Sequence, residues 1–178
     1  MRRRWLSLFG LIVVILVIDQ ATKLLVINSL SLYETVRPVP ALVPFFQITY
    51  SQNTGAAFGF LPFAGNLILV IALVVVVSMI YFYSRIPANG RLMRFAVGLV
   101  CGGALGNALD RLQYGYVVDF IHYQIPGVVS NVSNLADHAI VIGIILIFLE
   151  SWLLDRREKK TAEQPVLESE THEDGSFQ

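Results

Sequence analysis

Asp119 and Asp137 stand at the two ends of a segment that contains no Lys or Arg, in a chain that is otherwise mostly apolar. A carboxylate beside hydrocarbon is costly unless something compensates it, so an ionisable residue there marks a functional site by default. Two carboxyl groups about 3 Å apart cannot both ionise readily and titrate as a pair sharing one proton. In that state, the working state of an aspartic protease, one carboxylate activates water and the other, protonated, polarises a carbonyl. Local sequence sets the two residues apart. Asp137 begins an expected helix behind the potential caps Ser133 and Asn134, where unpaired N–H groups and the helix dipole favour a negative charge. Asp119 lies between Val118 and Phe120, which resist ionisation, so its proton affinity is expected to be the higher.

Further polar residues belong with this pair. Asp19 and Asp110 fall at the same expected membrane depth, as do Gln20, Thr22, Lys23, Asn53, Asn107, Arg111 and Asn134. Asp19 and Lys23, at i and i+4, suit an intrahelical ion pair. Asp110, beside Arg111, suits an anchor that supports Asn107. Read singly, Asp137 is an ordinary helix cap and Asp119 an ordinary loop residue; only their shared depth argues for acid and base. Rival chemistries lack residues. Lys23 is the only lysine before the C-terminal tail and no serine is placed to use it as a base. His122, His138 and His172 lack a metal-ligand spacing, so no metal or organic cofactor is expected. Gly102-Gly103-Ala104-Leu105-Gly106 lies within a span and suits close helix packing better than a phosphate loop. Cys101 is the single cysteine, which excludes an intramolecular disulfide.

The elements that must position these residues are membrane helices. The 178 residues are 55% hydrophobic and 15% charged, where a soluble domain carries about 25% charged residues. Four apolar stretches, about 5–27, 64–84, 95–112 and 137–154, are long enough or nearly so to cross a ~30 Å hydrocarbon core. The first follows Arg2, Arg3 and Arg4 but runs past Asp19 and Lys23 without a small-x-small cleavage site, so it reads as a retained span. Ten of the thirteen Lys and Arg residues then fall on one side, and only Lys23, Arg37 and Arg111 on the other. Both termini are therefore expected in the cytoplasm and residues 28–63 and 113–136 on the opposite face. The fold class is an all-α membrane protein: a four-helix bundle with a small periplasmic β-sheet on the first outer loop, suggested by the β-prone run Phe45 to Tyr50. Phe58 and Phe60 are expected to dip into the interface, and Tyr114, Tyr116, His122 and Tyr123 of the second loop to sit at headgroup level. A single integral-membrane domain is expected over 1–154. Residues 155–178 carry seven of the thirteen acidic residues without apolar periodicity and are expected to form a disordered cytoplasmic tail.

Several blocks resemble the signatures of bacterial lipoprotein signal peptidase, also called signal peptidase II. They are Asp19-Gln20-Ala21-Thr22-Lys23, Asn53-Thr54-Gly55-Ala56-Ala57-Phe58, Gly102 to Arg111, Val117-Val118-Asp119-Phe120 and Asn134-Leu135-Ala136-Asp137, in family order across residues 5–154. The resemblance implies an intramembrane aspartic endopeptidase of the bacterial inner membrane that removes the signal peptide of prolipoproteins before a diacylglyceryl-modified cysteine. It implies Asp119 and Asp137 as the catalytic dyad, with Asn53, Gly55, Asn107, Asp110, Arg111 and Asn134 lining or supporting the site and Asp19 and Lys23 structural. It also implies four spans, an active site at the periplasmic face and sensitivity to globomycin. Prolipoproteins and membrane lipid are the expected partners, with no nucleic acid and no obligate protein partner. Two positions depart from the pattern: Ser133, where the family usually has Phe, and His138, where a small residue usually follows the aspartate. The His138 side chain points about 100° around the helix from that of Asp137, which places it outside the chemistry.

Two other classes compete. A small proton-coupled transporter also carries intramembrane carboxylates, but these aspartates cluster at one face and the halves show no internal repeat. A non-enzymatic assembly factor predicts activity that survives replacement of both aspartates.

Overall fold

The computed structural model describes residues 2–55, 64–87 and 89–173. It contains four long helices, α1 (Arg2–Ser29), α2 (Ala64–Tyr83), α3 (Arg91–Tyr114) and α4 (Leu135–Glu173). Strands β1 (Thr35–Val36) and β2 (Phe46–Asn53) lie between α1 and α2, and β3 (Val117–Ile125) and β4 (Val129–Ser133) between α3 and α4. Phe58 and Phe60 lie outside the described residues.

Each long helix has an apolar stretch sufficient by length and composition to cross a membrane. The 20 residues of α2, for example, rise about 30 Å. Val14, Val17 and Leu25 on α1, Val70 and Val77 on α2, and Ile145 and Phe148 on α4 are all exposed, a surface made for lipid. The helices begin and end close to the expected spans, with α1 and α3 running further into their flanking arginines, whose long stems follow the helix while the charge reaches water. α4 departs most. It continues to Glu173, so residues 155–173, expected to be disordered from their charge, are helical. Lys, Arg, Glu and Ala are good helix formers as well as solubilising residues, and composition alone does not separate the two outcomes.

α3 is the central helix. Its small residues let neighbours approach: Gly98 abuts Leu11 and Gly102 abuts Ile15 on α1, while Gly103 lies against the Ala136 carbonyl of α4. The expected role of the Gly102–Gly106 run as packing surface is what the helices show. A methyl at Gly103 would run into backbone that cannot swing aside, so Gly103→Ala should destabilise by about 1–3 kcal/mol. Gly10→Ala, where no atom lies within 4 Å, is the control and should be nearly neutral; thermal unfolding of both variants in one detergent checks the contrast.

The sheet differs from expectation. It has four antiparallel strands in the order β1-β2-β3-β4, so the second connecting segment supplies half of it. Tyr123 and His122 accordingly sit on a strand, with His122 hydrogen-bonded to Thr49 and Ser130, each at 2.9 Å. The first five residues of β3 are buried without alternation, which hides the period-2 signal that would reveal a strand. Val26 near the end of α1 packs with Tyr50, Val118, Phe120 and Ile121, joining sheet to bundle.

Between β2 and β3 the register slips. Ile48 pairs with Ile121 but Ser51 pairs with Asp119, so β2 advances three residues while β3 advances two. The extra residue is a β-bulge, and it reverses which face of β2 accompanies Asp119. Without it Tyr50 and Gln52 would share that face; with it, Ser51 and Asn53 do.

Candidate active site

Asp119 and Asp137 are brought together through two asparagine amides. Asn134 precedes the first residue of α4 and its Oδ1 accepts the Asp137 N–H at 2.9 Å, the hydrogen bond of a helix N-cap. Of the two expected caps, Asn134 is therefore the one that serves. With its oxygen so occupied, Asn134 turns Nδ2 toward Asp119 Oδ1 at 2.6 Å and Asn107 Oδ1 at 3.2 Å. Asn107 accepts a second hydrogen bond from Lys23 Nζ at 3.0 Å, which leaves its own Nδ2 to donate to Asp137 Oδ1 at 2.6 Å. Neither amide titrates, and the acceptor role of each oxygen fixes the orientation of each nitrogen.

Asn53 completes the surroundings of Asp119. The bulge places it diagonally across from Asp119 on the same face, and its Nδ2 donates to Asp119 Oδ2 at 2.9 Å. Its Oδ1 accepts the Gly55 N–H at 2.9 Å, so the amide is again held one way round. Gly55 has φ of +76°, a conformation glycine adopts readily. A side chain there would also meet Ile68.

Behind the pair lies a buried ion triad. Lys23 Nζ is 2.8 Å from Asp19 and 2.9 Å from Asp110, and all three side chains are almost wholly inaccessible. The expected Asp19–Lys23 pair is thus present but shared with Asp110, which pairs with Lys23 and not with its neighbour Arg111. Each carboxylate also reaches a backbone amide. Asp110 Oδ2 accepts the Val118 N–H and Asp19 Oδ1 the Ala136 N–H, both at 3.0 Å. Val118 immediately precedes Asp119 and Ala136 immediately precedes Asp137, so the triad holds the main chain just ahead of each aspartate. Gly106 makes room for this: a Cβ there would fall 2.5 Å from Asp19 Oδ2.

The remaining expected residues divide. Gln20, named in the sequence only as a neighbouring polar group, joins the triad by donating to Asp110 at 2.8 Å and Asp19 at 3.1 Å; its position beside Asp19 was the available signal. Thr22 does not join, because its hydroxyl bonds back to the Ile18 and Asp19 carbonyls of its own helix. Arg111 donates to the Asn107 carbonyl at 3.2 Å and stands in the field of Asp137, Asp119 and Asp110, while its Nε is buried without a partner. His138 turns away from Asp137. Its Nδ1 donates to the Asn134 carbonyl at 2.6 Å and its Nε2 meets the Tyr123 hydroxyl at 3.1 Å. Ser133 is the buried last residue of β4, paired with Ile121.

The two carboxyls differ in environment. Asp137 is half-buried, whereas Asp119 is 2% exposed. Burial is the main reason that the Asp119 carboxyl is pushed up to about 6; the negative field of Asp137 adds to it, and the amides of Asn53 and Asn134 and the more distant Lys23 oppose it. An acid whose affinity is raised on folding binds its proton more tightly in the native state than in the unfolded one. The stability linked to that proton is complete below the unfolded value near 3.8 and is lost as pH rises through about 6. Wild type should therefore lose up to ~2–3 kcal/mol relative to Asp119→Asn between those limits. Unfolding of the two proteins in detergent across that pH range checks this, and parallel curves would contradict it.

A buried carboxyl of raised proton affinity, coupled to a more open one and held by non-titrating donors, is equipped for acid–base hydrolysis. Among the described residues no group of His, Cys, Asp and Glu is arranged to hold a metal ion.

Known proteins share this sequence and fold. The signal peptidase (SPase) II family profile matches residues 11–153. A lipoprotein signal peptidase of Halothermothrix orenii is 38% identical over 141 residues, covering 79% of this chain and 92% of its own. One from Desulfitobacterium hafniense is 42% identical over 144 residues, covering 81% of this chain and 91% of its own. A solved bacterial membrane enzyme superposes with a TM-score of 0.74 at 31% identity, over 86% of this chain and 91% of that one. By sequence over most of its length and by the fold that carries it, this chain belongs to the signal peptidase II family of membrane proteases.

Proposed function

We propose that this protein is an aspartic endopeptidase that removes signal peptides from bacterial prolipoproteins, cutting the bond N-terminal to an S-diacylglyceryl cysteine. The observation that carries the reading is the link from Asp119 through Asn134 and Asn107 to Asp137. Asp119 holds the shared proton and Asp137 acts as base. Asp137 removes a proton from water as the oxygen attacks the scissile carbonyl, and the Asp119 proton passes to the carbonyl oxygen. Collapse of the tetrahedral intermediate breaks the C–N bond, with the proton held on Asp137 delivered to the leaving amine and a hydroxyl proton returned to Asp119. Asn53, Asn107 and Asn134 keep the carboxyls in place. Arg111, which donates to the Asn107 carbonyl, supports the site beside them. Asp19 and Lys23 act through the backbone.

The location follows from the same reading. Both termini lie in the cytoplasm, the sheet and the aspartates at the periplasmic face of the inner membrane, and residues 1–154 form the peptidase with the remainder as a cytoplasmic extension. A lipidated cysteine is anchored by its acyl chains at that depth, so its scissile bond arrives beside the carboxyls while bulk water stays outside. Incubating the purified protein with a lipidated prolipoprotein should yield the mass loss of the signal peptide. Unmodified prolipoprotein should be cut at least roughly tenfold more slowly, because lipid anchoring supplies the effective concentration. Equal rates would refute positioning by lipid.

A further inference from the structure

Glu150 lies toward the end of α4 remote from Asp137 and takes no part in the site described above. It continues the stripe of α4 that packs on α3. Ala136 and Ile140 lie against Gly103, Gly143 lies against Val100, and Glu150 lies beside Gly90. An acidic side chain near a membrane surface ordinarily extends to water. This one turns inward, and its Oε2 is buried without a hydrogen-bond partner. A Cβ added at Gly90, the residue before α3, would fall 3.7 Å from Glu150 Oε1. The start of α3 therefore favours the negative charge from one side, but it does not satisfy the second oxygen.

Glu150 also lines a cavity of about 730 Å³ between α2, α3 and α4. Much of the wall is apolar, with Val97, Ile147 and Leu154 alongside Met79 and Met93. Those two are the chain's only methionines besides Met1. The unbranched, polarisable side chain of methionine adapts to apolar partners of varied shape, so a pair of them on one wall suits a ligand whose apolar sequence is not fixed. Arg85 and Arg157 also border the cavity, and both are exposed. The Arg85 guanidinium lies 4.9 Å from the centre of the Phe82 ring. Exposed charges are screened by water and salt, so the two arginines weigh less inside the cavity than the buried carboxyl does.

A signal peptide has a basic n-region followed by an apolar stretch of about 7–15 residues, which as a helix spans about 10–22 Å. Glu150 follows Asp137 by 13 residues on α4, about 20 Å of helix. A substrate whose scissile bond lies beside Asp137 therefore brings its n-region to the level of Glu150. We propose that this cavity is the subsite for the n-region of the signal peptide. A lysine or arginine of the n-region pairs with Glu150, and the first apolar residues that follow lie against Met79, Met93 and Ile147. The inference rests on the peptidase reading for the identity of the ligand and deepens it by naming what holds the far end of the substrate.

The test measures binding of a fluorescent, lipidated prolipoprotein to full-length protein carrying Asp137→Asn, so that the substrate stays whole. A neutral detergent removes any attraction of the n-region to anionic lipid. The substrate with lysines in its n-region should bind roughly tenfold more tightly than the same substrate with serines in their place, the scale of one charge-assisted contact. Adding Glu150→Gln should abolish that difference, and Glu150→Lys should reverse it in favour of a substrate with glutamates in the n-region. Melting temperatures show whether the variants fold, and the comparison of substrates on the Asp137→Asn protein alone needs no change at Glu150. Equal binding of the lysine and serine substrates, or a lysine preference that survives Glu150→Gln, would overturn the subsite. Glu150→Gln that weakens both substrates alike would also overturn it, by reducing Glu150 to a partner of the α3 N-terminus. Cleavage by the protein with Asp137 intact is followed in parallel: no cleavage alongside an intact, Glu150-dependent lysine preference would support the subsite and refute the peptidase reading.

Discussion

Replacing Asp119 or Asp137 with Asn should leave a folded protein whose cleavage of lipidated prolipoprotein falls by roughly 10²–10⁴-fold, the scale of a lost acid or base. The two substitutions are not equivalent structurally. At 119 both carboxyl oxygens accept, one from Asn53 and one from Asn134, so an amide there faces one donor with another. That mismatch costs about 1–3 kcal/mol and offsets much of what is gained by removing a buried charge. At 137 Asn retains an oxygen for Asn107 Nδ2, so folding should be nearly unaffected. Because the residues act as one unit, the double variant should be no slower than the worse single one. The measurement is the rate of signal-peptide release by mass, with melting temperature as the fold control. A double variant that still cuts would sink the dyad.

Much of this arrangement is legible in the chain because each signal is local. The helices announce themselves by uninterrupted apolar runs, and Asn134-Leu135-Ala136-Asp137 reads as a capped helix start without knowledge of anything distant. The i, i+4 spacing of Asp19 and Lys23 is equally local. What sequence does not reveal is long-range. The contact of Asp19 with the Ala136 N–H joins residues 117 apart, and its acceptor's partner is a backbone group that carries no signature in any side chain. The bulge that brings Asn53 to Asp119 is likewise a property of two paired strands, and one of these, β3, is buried without alternation over its first five residues.

The triad gives those long-range contacts a common cause. Asp19 and Asp110 come from different helices, yet each accepts the amide immediately ahead of one candidate catalytic residue, and Lys23 joins them. The separation of Asp119 from Asp137 is therefore referred to one ammonium group, through α4 on one side and β3 on the other. Asn107 ties the same ammonium directly to Asp137.

Lys23→Met should accordingly be among the most damaging substitutions outside the pair itself. Lys23 is 1% exposed, and Met fills similar volume without a charge. Two carboxylates, both fully buried, would keep their backbone and Gln20 hydrogen bonds but lose their only close counter-ion among the described residues. Removing one partner of a buried ion pair typically costs 3–5 kcal/mol, far more than the pair contributes relative to an apolar replacement. Activity should fall with stability, because each carboxylate that moves takes with it the main chain ahead of Asp119 or Asp137. Neutralising the orphaned charges distinguishes this account from a simple packing defect. Lys23→Met combined with Asp110→Asn keeps an oxygen to accept the Val118 N–H and removes one unpaired charge, so it should regain part of the lost melting temperature. A packing defect would gain nothing from the second substitution, and a Lys23→Met protein as stable as wild type would show that the triad is not what holds the site.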